Sequence, residues 1–263
     1  MRWVLAAGVA AGLTFALLPL IKRLPHRPNY RGRPVGLGGG PAVVAGAAAG
    51  WLAFGLIPAP GRPEGLIFLA TLVMAGLGWL DDCWGEGKTK GFRGHFRRWW
   101  QGRGDTALLK AAGGLALGLA VARRSAATWW EAALAVLLVS LAANALNLLD
   151  LRPGRALKGF ALGLALLFLL GAPTAPLFVP VLAAVLAYAP YDLRERLMLG
   201  DAGANALGAA LGTGAALGLS PPAETVLAFT LVALHVYAEK GSLTRLIERV
   251  GWLRLLDSLG RRG

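Results

Sequence analysis

The chain has 263 residues, 56% of them hydrophobic, with a mean hydropathy of +0.57 and a formal net charge of +13. That apolar share exceeds the share of an ordinary soluble domain, and several runs approach the roughly 17–25 residues a helix needs to cross a bilayer. The runs lack the two-residue alternation of barrel strands, so the expected class is all-α, a polytopic bundle of transmembrane helices. A lone cysteine, Cys83, excludes an intramolecular disulfide.

In chain order the apolar runs cover 3–21, 41–57, 66–80, 107–122, 131–149, 159–172, 174–190, 203–219 and 224–238, which predicts nine spans. The first run is followed, not preceded, by its basic residues Lys22 and Arg23, and it shows no clear small-residue cleavage site. It therefore reads as a retained helix, not a signal peptide. The run 159–190 is too long for one pass: 32 residues at a rise of ~1.5 Å make roughly 48 Å against a core of ~30 Å. Gly171, Pro173 and Pro176 supply the turn that divides it.

This topology sorts the charges. The alternate segments 22–40, 81–110, 150–158, 191–203 and 239–263 hold 23 of the 27 Lys and Arg, leaving Arg2, Arg62, Arg123 and Arg124 for the other side. The bias predicts an outside N-terminus and a cytoplasmic C-terminus. It also explains the basic balance without nucleic acid as a partner. Among the carboxylates only Glu64, Glu131 and Glu224 fall on the outer side. The polar chemistry belongs to one face.

Four segments on that face carry candidate chemistry. In the first, Arg27 to Gly40, Arg31 and Arg33 are candidate substrate contacts, and Gly38 to Gly40 are expected to let main-chain N–H groups approach an anion. The alternative is a basic topology signal with a hinge. The second opens with Asp81-Asp82 at the end of an apolar run. Two carboxylates beside hydrocarbon need a compensating partner, such as a metal ion or a phosphate carried on one; the plainer reading is a helix end reaching water. Beyond them Lys90 is a candidate phosphate contact, and Arg97-Arg98-Trp99-Trp100 looks like an interfacial anchor.

In the third segment, Asn144, Asn147 and Asp150 recur every three residues along one helix face and read as a ligand-facing row, with interhelical hydrogen bonding as the alternative. Arg152, Arg155 and Lys158 follow. In the fourth, Gly200-Asp201-Ala202-Gly203 places an Asp between glycines at the start of an apolar helix. It is either an N-cap or a hard oxygen ligand for a metal-bound diphosphate. The expected division is a catalytic membrane domain over 1–238 and a cytoplasmic amphipathic tail over 239–263, the latter lying on the inner leaflet through Leu243, Leu246, Ile247, Val250, Leu253 and Leu256.

Taken together, the Asp pair, the N-x-x-N-x-x-D row and G-D-x-G resemble the polyprenyl-phosphate N-acetylhexosamine-1-phosphate transferase family, of glycosyltransferase family 4 type, from about Pro28 to Gly208. The resemblance implies transfer of a HexNAc 1-phosphate from a UDP-sugar (UDP-HexNAc) to a polyprenyl phosphate such as undecaprenyl phosphate, with release of UMP and with Mg²⁺ as cofactor. It further implies a multi-pass protein of the bacterial plasma membrane serving cell-envelope glycan synthesis, with a homodimer among its expected states.

Residue by residue, the resemblance implies Asp201 and Asn147 as metal ligands and Asp81, Asp82 and Asp150 as catalytic residues, the Asp pair orienting or deprotonating the lipid phosphate. Asn144, Lys90, Arg31, Arg33, Arg155 and Lys158 are then expected at the substrate. Two departures stand out. Pro153 occupies the place where family members commonly carry a second Asp, and His26, His95 and His235 are scattered, so the family's His-rich loop has no counterpart. A non-catalytic binder of polyprenyl phosphate or of an envelope-assembly partner is the alternative. The enzyme reading requires Asp82, Asn147 and Asp201 to converge on one pocket.

Overall fold

A computed structural model describes residues 1–55, 62–85 and 106–261. Lys90 and the Arg97–Trp100 anchor lie outside the described residues. The chain opens with α1 (Arg2–Leu17), a 3-10 turn (Leu20–Arg23) and a hairpin of β1 (His26–Pro28) and β2 (Pro34–Gly36), antiparallel with Arg27 opposite Val35. Then come α2 (Gly39–Ala53), α3 (Pro63–Trp84), α4 (Thr106–Ser125), α5 (Trp129–Leu149) and α6 (Arg155–Leu169). A second 3-10 turn (Ala175–Phe178) leads into α7 (Val179–Asp192), followed by α8 (Gly200–Gly218) and α9 (Pro221–Lys240). Two short helices, α10 (Leu243–Arg249) and α11 (Gly251–Ser258), complete the fold.

Helix boundaries follow local chemistry. Pro63 and Pro221 occupy first-turn positions, where a missing N–H goes unnoticed. Thr128 accepts from the Glu131 amide at 3.2 Å while Glu131 reaches back to the Ala127 amide at 2.6 Å, a reciprocal cap that starts α5. Gly171, at φ +70°, ends α6 by donating to Phe168, with Ala172 donating to Leu167. The run 159–190 is thus divided where its glycine and prolines indicate.

Helix α8 is the axis of the bundle. Nearly every residue from Gly200 to Ala216 is buried, and α3 and α5 are its main packing partners. Its small residues permit the approach: a Cβ on Gly208 would lie 2.2 Å from the Ala142 carbonyl oxygen, and one on Gly212 2.3 Å from that of Leu138. Backbone meets backbone, the contact that Gly and Ala allow between helices in lipid. The outer surface shows the opposite composition, with Leu162, Leu169, Leu186, Val226 and Phe229 exposed.

Every one of the nine apolar runs contains a helix, but fewer are long and apolar enough to span. Four qualify among the described residues: Pro63–Trp84, Thr106–Ser125, Trp129–Leu149 and Ala175–Asp192. A fifth is obtained if α9 and α10, bent by 104°, count as one broken span. Helices α1 and α2, with 16 and 15 residues, reach only about 23 Å at ~1.5 Å per residue, short of the ~30 Å core. Periodicity located the helices; length and apolarity mark four or five of them, among the described residues, as full crossings.

The close α8–α5 contact is directly testable. Gly208→Val is expected to lower stability by about 1–3 kcal/mol through overpacking against Ala142, read as a lowered Tm in detergent. Gly76→Val serves as control, since Gly76 has open space beside it.

Candidate active site

The N-terminus of α8 is where the separate motifs meet. The first N–H groups of a helix have no partner within it, and here two carboxylates from other helices supply one. Asp150, capping the end of α5, accepts from the Gly200 amide at 3.0 Å. Asp82, near the end of α3, accepts from the Asp201 amide at 3.0 Å and the Ala202 amide at 2.9 Å. Gly200 takes φ +69°, and a Cβ there would lie 2.8 Å from an Asp82 carboxylate oxygen, so glycine is required twice over.

On the open side of this knot stand Asp81 and Asp201, which share one cation. The Lys110 ammonium, near the start of α4, donates to Oδ2 of both, and the Thr106 hydroxyl donates to Oδ1 of Asp81. Arg27 of the hairpin donates to the carbonyl of Gly85 at 2.7 Å and, more weakly, at 3.2 Å to that of Asp81, which also accepts the Gly85 amide at 2.7 Å, so it fastens the end of α3. Asn205 fixes the Asp201 carbonyl at 2.7 Å. The plain reading of Asp81-Asp82 as a helix end reaching water is therefore incomplete, because both carboxylates are engaged across helices.

Beside Asp150 opens a cleft whose lining includes Asn29, Tyr30, Arg152, Asp192, Glu195 and Met198. Its floor is held by Asp192, which accepts from the Gly154 amide at 2.6 Å and from the Tyr188 hydroxyl at 3.1 Å. Burial pushes the Asp150 carboxyl well above the ordinary carboxylate range. The nearby Asp192, Asp201 and Asp82 push the same way, against the hydrogen bond from Gly200.

The remaining sequence candidates divide. Asn147 is half-buried one turn before Asp150, and Asn144 is exposed. Arg31 is half-exposed beside Glu195 at 3.6 Å, and Arg33 is exposed with its amide on the Asn29 side chain. Arg155 and Lys158 turn away from the cleft: both bind Asp257 of the tail, Arg155 through its carboxylate at 2.7 and 2.9 Å and Lys158 through its carbonyl at 2.7 Å.

The glycine loop also departs from expectation. The Gly39 and Gly40 amides donate to the carbonyls of Met198 and Leu199 at 3.1 and 2.9 Å, so they anchor the loop to the start of α8 instead of facing an anion. Sequence reasoning missed Lys110, Thr106 and Asp192. For Lys110 a signal existed: it is the one charge at the head of the apolar run 107–122, and an ionisable group at a membrane boundary implies a partner.

The Glycosyl transferase family 4 profile matches residues 65–219, from the start of α3 to the end of α8. The chain belongs to that family. The match contains Asp81, Asp82, Lys110, Asp150 and Asp201, the whole knot. No curated protein matches the chain. The family's general chemistry, phospho-sugar transfer to a polyprenyl phosphate, makes this chain a membrane glycosyltransferase of that type.

Among the described residues no three His, Cys, Asp or Glu side chains are grouped to hold a metal ion. A Mg²⁺ site does not require three, because this ion is commonly held by one or two carboxylates with substrate phosphates completing its shell. Asp81 and Asp201 fit that pattern, as two hard oxygen donors already arranged about one cation.

Two variants probe the knot. Asp82→Asn turns an NH₂ group toward one of the two helix amides and is expected to cost about 1–3 kcal/mol. Lys110→Met leaves Asp81 and Asp201 facing each other and is expected to cost about 2 kcal/mol. Thermal unfolding checks both, and only the Lys110→Met loss should be reversed by added MgCl₂.

Proposed function

We propose that this family member transfers a HexNAc 1-phosphate from a UDP-sugar to a polyprenyl phosphate, releasing UMP, with Mg²⁺, at the cytoplasmic face of a bacterial plasma membrane. The observation that carries the reading is the single cation held between Asp81 and Asp201 at the start of α8. The cytoplasmic assignment rests on charge: the knot lies at the ends of α3 and α5 nearest the Lys- and Arg-rich segments, while Arg123 and Arg124 end α4 on the opposite side.

The chemistry asks little of a general base. A lipid phosphate has its second pKa near 6 and is largely ionised at neutral pH. One of its oxygens attacks the sugar-bearing phosphorus of the UDP-sugar. A new P–O bond forms, the bond to the bridging oxygen breaks, and that oxygen leaves with UMP.

The obstacle is repulsion between two anions, so the protein's task is positioning and charge compensation. Lys110 supplies a fixed positive charge at the reacting phosphates. Asp82 and Asp150 hold the α8 N-terminus, whose aligned amides favour negative charge in front of it, and so keep Asp201 in place. Mg²⁺, when held by Asp81 and Asp201, would neutralise diphosphate charge and stabilise the departing UMP. Tyr30, Arg152 and Asp150 then border the cleft available to the rest of the nucleotide-sugar.

The second reading is a non-catalytic binder of polyprenyl phosphate, favoured by Pro153 at the place of an acid and by the absence of a His-rich loop. Purified protein with undecaprenyl phosphate, UDP-GlcNAc and MgCl₂ is expected to release UMP, and Asp201→Ala to lower the rate roughly 10²–10³-fold. Binding of the lipid phosphate with no UMP release from any UDP-HexNAc would establish the binder instead.

A further inference from the structure

The tail is built inside out. Along α11 and its C-cap the residues Trp252, Leu255, Leu256 and Leu259 follow the i, i+3, i+4, i+7 pattern of one helical face, yet that face is turned away from the protein. These four side chains are 45% to 64% exposed. The polar residue Asp257 faces inward, its side chain only 11% exposed. There it receives Arg155 at 2.7 and 2.9 Å and Arg261. Burial alone would raise the Asp257 carboxyl, but hydrogen bonds from Arg155 and Arg261 hold it below the ordinary carboxylate range, so the clamp is ionic at neutral pH.

Fastening continues along the strap. Arg155 also donates to the Thr244 hydroxyl at 2.9 Å, Lys158 to the Asp257 carbonyl at 2.7 Å, and Arg261 to the Pro153 carbonyl at 2.7 Å. Glu248 of α10 pairs with Arg152 at 3.6 Å, and the Arg152 guanidinium lies 4.5 Å from the Tyr30 ring centre on the cleft rim. Tail and cleft wall are thus joined at four residues of the 152–158 segment.

The occupant of the outward face follows from its surroundings. The strap leaves α9 through the 104° bend at Gly241–Ser242, so it runs across the direction of the last apolar helix. Exposed Arg245, Arg249 and Arg254 flank these apolar residues in sequence, and cations next to large apolar groups bind anionic phospholipid at headgroup depth. A second copy of the chain is a poor match for an eight-residue helix, since a stable interface needs about 800 Å² from each partner.

We propose that α10 and α11 form a strap docked on an anionic lipid leaflet through Trp252, Leu255, Leu256, Leu259 and the flanking arginines, and that Asp257 couples this docking to the 152–158 wall of the cleft. A leaflet that seats the strap thereby orders the floor on which Asp150 and Asp192 stand. The inference concerns lipid contact and order, and it holds whether or not the chain transfers a phospho-sugar.

The test uses the full chain in nanodiscs of phosphatidylcholine alone or mixed with phosphatidylglycerol. Tryptic cleavage after Arg249 and Arg254, followed by mass spectrometry, is expected to be at least fivefold slower in the anionic discs. The Trp252→Ser/Leu256→Ser variant is expected to abolish that difference. Hydrogen exchange of peptide 151–158 in anionic discs is expected to rise at least fivefold in Asp257→Asn and in the milder Arg261→Gln, with α8 unchanged. Equal cleavage in both lipids, or protection that instead tracks protein concentration in detergent, overturns the docking. Unchanged exchange at 151–158 in both single variants overturns the coupling.

Discussion

The structure depends on how one helix begins. Helix α8 runs through the centre of the bundle, so its first N–H groups have little water to turn to, and an unpaired buried amide is costly. Asp82 and Asp150 resolve this from two directions, fixing the ends of α3 and α5 to the start of α8. Their oxygens supply the acceptors that the positive end of the helix favours. That arrangement also concentrates acid, and the Lys110 cation between Asp81 and Asp201 answers the excess. Capping and site assembly are the same set of contacts.

Packing makes this possible. Asp82 reaches the α8 amides only because α3 lies nearly against the α8 backbone. A Cβ on Gly78 would stand 2.3 Å from the Asp201 carbonyl, and one on Gly40 2.3 Å from the Gly203 nitrogen. The glycine loop before α2 serves that approach, with its amides on Met198 and Leu199. Small residues here do not bind an anion themselves; they bring the side chains that handle charge within hydrogen-bonding distance of one helix end.

Much of this was legible in the sequence because hydrophobic runs and charge breaks are local signals. The nine helical runs, the break near Gly171 and the meeting of Asp81, Asp82, Asp150 and Asp201 all rest on residue type and order. The tail's outward face did not: Leu243, expected on the leaflet, is buried and Leu246, Ile247, Val250 and Leu253 are half-buried, while Trp252, Leu255 and Leu259 join Leu256 on the exposed side. The number of full crossings did not, because the pattern does not distinguish a lipid-facing helix from one such as α8 that is buried among its neighbours. Arg155 and Lys158 pointed to phosphate as cations near the site, yet their partner, Asp257, lies about a hundred residues on and no spacing rule reaches it. Lys110 was hidden by position, read as the end of a basic loop when it is the beginning of a helix.

The departure at Pro153 takes on a different meaning in three dimensions. The family's second acid is missing there, but the turn is far from idle. Its carbonyl receives Arg261 and the following Gly154, at φ +76°, donates to Asp192. Asp192, from α7, brings a carboxylate to the cleft next to Asp150 by a route that a linear motif does not record. The turn at Pro153–Gly154 joins the cleft to the tail. A proline suits it: the ring fixes φ and offers no N–H that would compete for Asp192. Asp192 thus brings acid to this cleft from another helix, and the turn at Pro153 is where the C-terminal strap is tied.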